Sequence, residues 1–122
     1  MLQTRDLSLF LWRYQSFFKQ AKIQQLHDLN LNINAGEITA LIGSSGAGKS
    51  LLAHTILGLL PSNIAVSGDI SFNNAPLTAL RLKQLRGTEI AFLPQQISNL
   101  DPTATIQNQL LWSAKRAGVQ IN

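Results

Sequence analysis

The residues best placed to do chemistry are the eight of Gly43-Ser44-Ser45-Gly46-Ala47-Gly48-Lys49-Ser50, which match the spacing G-x-x-x-x-G-K-[ST]. The glycines of such a loop allow backbone angles and close approaches that a Cβ would forbid. The amides from Gly46 through Ala47 and Gly48 to Leu51 can then wrap around a diphosphate. Lys49 is spaced to reach the β and γ phosphates. The hydroxyl of Ser50 is spaced to ligate Mg²⁺, a hard ion that takes oxygen ligands and keeps waters and substrate phosphates in its shell. The expected ligand is Mg-ATP or Mg-GTP.

That chemistry needs a loop running from a strand into a helix, because a helix N-terminus leaves its first N–H groups without intrahelical partners and carries partial positive charge. The flanks comply. Ile38-Thr39-Ala40-Leu41-Ile42 is a short apolar and β-branched run that predicts a buried strand. Residues 51–60 keep Leu52, Ile56 and Leu59 on one helical face before Pro61.

Further out, Leu7, Leu9 and Leu11 alternate with Ser8, Phe10 and Trp12 and predict a first strand, while the polar residues 15–25 read as a loop. Leu29, Leu31 and Ile33 alternate with Asn30, Asn32 and Asn34, a strand with one wet face, closed by a turn at Ala35-Gly36. Residues 68–72 predict a strand turned by Asn73-Asn74. Residues 78–86 predict a short helix with Leu82 and Leu85 inward. Ile90-Ala91-Phe92-Leu93 predicts another buried strand, ended by Pro94 and followed by Gln95 and a polar loop through Pro102. A last helix begins near Thr105, with Ile106, Leu110, Leu111 and Ala114 along one face. Strand, helix and strand around a phosphate loop argue for an α/β nucleotide-binding core, with the early one-sided strands as an added antiparallel layer.

Composition sets the outer bounds. A chain of 122 residues, 45% hydrophobic and 13% charged, can build one modest core and is neither disordered nor collagen-like. The net charge of +4 comes from ten basic residues scattered without a long run, which is an ordinary solvated surface, and no nucleic-acid partner is expected. The absence of cysteine excludes disulfides and thiolate metal sites and fits a reducing compartment. The apolar stretch 7–12 is short for a signal-peptide core and runs into Arg13 and Tyr14. Residues 51–60 fall far below the roughly 20 needed to span a bilayer. A soluble chain, cytoplasmic unless a partner holds it at a membrane, is expected.

The phosphate loop 43–50 together with the strand and glutamine run of residues 90–95 resembles the N-terminal half of the ATP-binding subunit of ATP-binding-cassette transporters. Ile56-Leu57-Gly58-Leu59-Leu60-Pro61 and Ser98-Asn99-Leu100-Asp101-Pro102 look more narrowly like the importers of oligopeptides, dipeptides and nickel. The resemblance covers residues 5–118 and implies a P-loop NTPase core using ATP and Mg²⁺. It implies that Gln95 contacts Mg²⁺ and the attacking water and relays nucleotide state, and that the loop of about residues 95–103 faces transmembrane permease subunits. It also implies a second ATP-binding subunit in a dimer, held peripherally on the cytoplasmic face of the membrane. An aromatic residue stacks on adenine in this family, and Tyr14, Phe17 and Phe18 compete for that role.

The departures from the family pattern matter as much. A signature segment like Leu-Ser-Gly-Gly-Gln, a second apolar strand ending in Asp-Glu and a late histidine are not found in these residues. Neither Asp6, Asp28, Glu37, Asp69, Glu89 nor Asp101 follows an apolar strand in the required way. His27 precedes the loop and His54 reads as a helix-face residue. The expectation is therefore a partial nucleotide-binding domain, without the helical signature subdomain and second half, that binds better than it hydrolyses. A nucleotide-binding module without turnover, or another P-loop NTPase such as a small kinase, are the alternatives.

Overall fold

The computed structural model describes residues 1–16, 19–94 and 100–119. The chain divides into two compact units, Met1–Thr78 and Ala79–Asn122, taken here one at a time.

The first unit is built on a four-stranded antiparallel sheet of β1 (Leu2–Ser16), β2 (Lys19–Ile33), β3 (Ile64–Phe72) and β4 (Ala75–Pro76), ordered β2-β1-β3-β4. It also holds helix α1 (Lys49–Ile56). The antiparallel layer expected from the alternating leucines is thus present, and it is longer than its apolar pattern implied. β1 and β2 stay paired out to Ser16↔Lys19, so residues 19–25 are strand and not the loop their polarity suggested. Hydrogen bonding along a ladder does not require apolar side chains, and residues 22–24 are exposed. Asn73 and Asn74 take φ of 49° and 59°, the left-handed pair that a tight hairpin turn requires and that Asn tolerates.

A fold line crosses this sheet at Asp6 and Asp28, both at positive φ (49° and 41°). A one-residue bulge reverses which side chains face inward. Before Asp6 the buried residues are Leu2 and Thr4; after it they are Leu7, Ser8 and Leu9, with Leu7 and Leu9 the largest fully enclosed side chains among the described residues. The matching irregularity at Asp28 lets Leu29 oppose Leu7 and Leu26 oppose Leu9. Hydroxyls repair the interrupted ladder. Thr4 Oγ1 donates to the carbonyl of Leu29 (2.9 Å) and accepts from the amide of Leu31 (3.0 Å). Ser8 Oγ donates to Asp28 Oδ1 and accepts from the Asp28 amide, both at 2.9 Å. On the third strand Gly68 lies at φ +91°, where an added Cβ would stand 2.6 Å from the carbonyl oxygen of Arg5. Only glycine fits that crossing. Leu52, Leu57, Phe72 and Thr55 complete the buried set of this unit.

The second unit carries α2 (Ala79–Leu85), which buries Leu82 and Leu85 as the spacing predicted, and α3 (Ile106–Arg116). The side chain of Thr105 caps α3 by accepting the amide of Asn108 (3.2 Å). The expected apolar face of α3 is not covered within the described residues, with Ile106 and Leu110 both exposed.

Two expected strands are not formed. Residues 38–42 and 91–93 have no ladder among the described residues, and Ile38 (100%), Ile42 (92%) and Leu93 (94%) are open to solvent. Among the described residues the only parallel pairing nearby is the isolated bridge Arg86↔Ile90. A strand exists only with a hydrogen-bonded neighbour, and an apolar run supplies half of that pair.

Candidate functional site

The loop preceding α1 takes its shape from three local features. Ser44 to Ala47 form a turn closed by the Ala47 amide on the Ser44 carbonyl (3.2 Å). Gly46 and Gly48 follow at φ +81° and +85°. The Lys49 ammonium then folds back onto the loop, donating to the carbonyl oxygens of Gly43 (2.5 Å) and Ser44 (2.6 Å). At Gly48 a Cβ would be strained by its φ and would press within 3.3 Å of the Gln25 carbonyl oxygen on β2.

Helix α1 starts with its amides unspent. The first hydrogen bond onto its cap runs from the Leu52 amide to the Gly48 carbonyl (2.8 Å), leaving those of Lys49, Ser50 and Leu51 ahead of it without a backbone acceptor among the described residues. The cap residue is glycine, so no side chain takes them, and the first turn contains no acidic residue. Together with the Lys49 charge, this is an electropositive helix end open to an anion. Gly43, Ser44, Ser45, Gly46, Ala47 and Ser50 are exposed, whereas Gly48, Lys49 and Leu51 are half-buried. A depression of about 620 Å³ lies elsewhere, on the wet face of the sheet between Gln3, Arg5, Asn32, Asp69 and Ser71. The open amides, and not the enclosed volume, mark the candidate site.

Gln95, Phe17, Phe18 and the side chain of Tyr14 lie outside the described residues. On the same hairpin the ammonium of Lys22 stands 3.8 Å from the ring centre of Phe10 and 5.9 Å from that of Trp12. His54 is half-buried on α1, in keeping with a helix-face residue, and His27 pairs with Asp28 at 3.0 Å on the surface. Among the described residues no group of three or more His, Cys, Asp or Glu could hold a metal.

The model of the family described as ABC transporter matches residues 26–122, four-fifths of the chain. The chain belongs to the ABC transporter family. Its fold class is accordingly α/β, an ABC-type P-loop NTPase domain with an antiparallel layer. This ABC domain is 37% identical over 92 residues to the metal-staphylopine import system ATP-binding protein CntD of Staphylococcus aureus, covering 72% of the chain and 34% of that protein. It is 32% identical over 93 residues to the oligopeptide transport ATP-binding protein OppD of Escherichia coli, covering 73% and 28%. It is 39% identical over 102 residues to the putative hemin import ATP-binding protein HrtA of Staphylococcus saprophyticus, covering 82% and 44%. The ABC chain thus spans less than half the length of each of these relatives, and they do not agree on one transported substrate.

Two features of the ABC domain escaped the sequence reading. Crossing of Gly68 over Asp6 needs three strands at once and leaves no local signal. The hydrogen bonds of the Gln109 carboxamide to the backbone of Asp101 join residues eight apart through a side-chain direction that the sequence does not state.

Proposed function

We propose that this chain is the nucleotide-binding portion of an ATP-driven importer subunit, coupling ATP binding and hydrolysis to uptake of peptides or nickel across the cytoplasmic membrane. The observation that carries the reading is the start of α1, where three amides without backbone acceptors and the Lys49 ammonium converge on one exposed loop. Residues 43–51 would hold the phosphates, Lys49 neutralising the β and γ groups once it exchanges loop carbonyls for phosphate oxygens. Ser50 fits Mg²⁺ by position and donor type, an exposed hydroxyl on the first turn of the helix; Gln95 is the second oxygen donor implied by the family pattern. Mg²⁺, when bound, supplies charge neutralisation between the phosphates.

The peptide and metal reading is supported by relatives named for oligopeptide and metal-staphylopine transport. Transmembrane permease subunits and a second ATP-binding subunit are the partners in that assembly. Among the described residues no helix is long and apolar enough to cross a membrane, which accords with peripheral attachment through those partners.

A second reading, binding without turnover, is favoured by where the acids lie. Asp6 and Asp28 are engaged in the sheet, Asp69 pairs across it with Arg5 in register, Glu37 closes a turn on Asn34, and Asp101 closes a turn on Thr103. Within the first unit, Asp6, Asp28 and Glu37 thus spend their hydrogen bonds on the sheet and its turn. Calorimetric titration with ATP, with and without Mg²⁺, alongside phosphate release, separates the two readings. Saturable Mg-dependent binding without phosphate release is the expected result for these 122 residues. Lys49-dependent turnover would place the catalytic groups within them, and no binding at all would end both readings.

A further inference from the structure

Between Gln24 and Leu26 the strand β2 carries a residue that β1 does not match. Leu9 opposes Leu26 and its neighbour Phe10 opposes Gln24, which leaves Gln25 as the extra residue of a β-bulge. The bulge falls where the phosphate loop meets the sheet. A Cβ built on Gly48 would stand 3.3 Å from the Gln25 carbonyl oxygen and 3.8 Å from Leu26 Cδ1. Gln25 and Leu26 are half-buried, although residues 22–24 just before them are exposed. Leu26 is backed in turn by Leu9, its fully buried partner on β1. A bulge bends its strand and re-aims the groups it carries, and here the bulged residue is the one whose carbonyl lies against Gly48.

The open amides depend on where Gly48 sits. It caps α1 at φ +85°, its carbonyl accepts the Leu52 amide (2.8 Å), and the amides of Lys49, Ser50 and Leu51 follow it directly. Such groups bind well only when the packing behind them holds the productive geometry. We infer that the bulge at Gln25, with Leu26 beside it, is a positioning element that seats Gly48, so that β2 sets the aim of the phosphate-binding amides. This rests on the proposed function, in which those amides hold the phosphates. Without the extra residue β2 would run past the loop as a regular strand and Gly48 would lose its support.

The test deletes Gln25, which brings Gln24 next to Leu26 and preserves the pairs Leu9↔Leu26 and Phe10↔Gln24. The deletion variant is expected to keep a urea midpoint close to that of the parent chain. Its affinity for Mg-ATP by calorimetry should fall about tenfold or more, the equivalent of roughly one well-aimed amide contact. Leu26→Ala should lower affinity about threefold to tenfold, and Leu26→Met, close to leucine in volume, should restore it. Leu9→Val supplies the contrast, because it trims a buried side chain one strand further in. There the urea midpoint should fall while affinity stays within about twofold of the parent.

Parent-like affinity in the deletion variant overturns the inference. So does an equal loss of affinity in Leu9→Val, which would make the effect one of sheet stability. Where the deletion variant loses its fold, Leu26→Ala decides: unchanged affinity overturns the inference, and a loss restored by Leu26→Met upholds it. A parent chain that fails to bind Mg-ATP overturns the functional reading itself, whereas a parent that binds, with variants that bind as tightly, overturns this inference alone.

Discussion

The ammonium of Lys49 rests on the carbonyl oxygen of Gly43, 2.5 Å away across the phosphate loop, and holds the loop in its turn. The same charge is the one a β or γ phosphate would seek. Charged hydrogen bonds contribute about 1.5–3 kcal/mol each. Lys49→Ala should therefore weaken ATP binding by about 100-fold or more, read by calorimetry. Unchanged affinity would remove the nucleotide assignment.

Gly68 is the least replaceable residue of the sheet. Alanine there would combine a left-handed backbone with overlap onto the carbonyls of Arg5 and Asp6. Gly68→Ala should cost more than about 2 kcal/mol, seen as a lowered urea midpoint at unchanged slope. A loss below about 0.5 kcal/mol would mean the strands do not cross as described.

Arg116 ties the end of α3 to the end of α2, donating from Nε to the Arg86 carbonyl (2.9 Å) and from Nη2 to that of Lys83 (3.3 Å). These are helix-end carbonyls with no backbone donor among the described residues, and a cation there also opposes the negative end of the helix dipole. Arg116→Ala should lower stability by about 1 kcal/mol and expose the Gly87 backbone to faster exchange. Arg116→Lys should not restore it, because a single ammonium cannot copy the fork of donors.

Acid should loosen the turn before α3. The Thr103 hydroxyl, and after it the Thr103 amide, hold the Asp101 carboxyl below its ordinary value of 3.8. A depressed folded pKa means that the stabilisation is present above the unfolded value and is lost as pH falls through the folded one. Following the Thr103 amide by NMR should give a midpoint below 3.8, with no such step in Asp101→Asn. A midpoint at or above that value would deny the contact. The Asn34 amide and side chain lower Glu37 in the same direction, so the turn after β2 should loosen with a midpoint below the ordinary 4.5 of that carboxyl.

Legibility followed the range of the interactions. The Asn73-Asn74 turn, the start of α3 near Thr105 and the inward Leu82 and Leu85 each depend on neighbours within a few residues, and each was readable. The tip of the β1–β2 hairpin was not, because polar residues 19–25 are held by backbone pairing that leaves no mark on side-chain pattern. Residues 38–42 misled in the opposite sense, since β-branched composition states a preference for a strand and not the presence of a partner.

The order of glycines, lysine and serine in residues 43–50, and the family to which the chain belongs, follow from the sequence alone, because the loop chemistry is carried by contiguous residues. Tertiary structure alone decided that Asp6, Asp28 and Gly68 share one fold line, that Lys49 turns back onto Gly43, and that Gln109 grips Asp101. Those relationships depend on register and on side-chain direction, which arise only when segments meet in space.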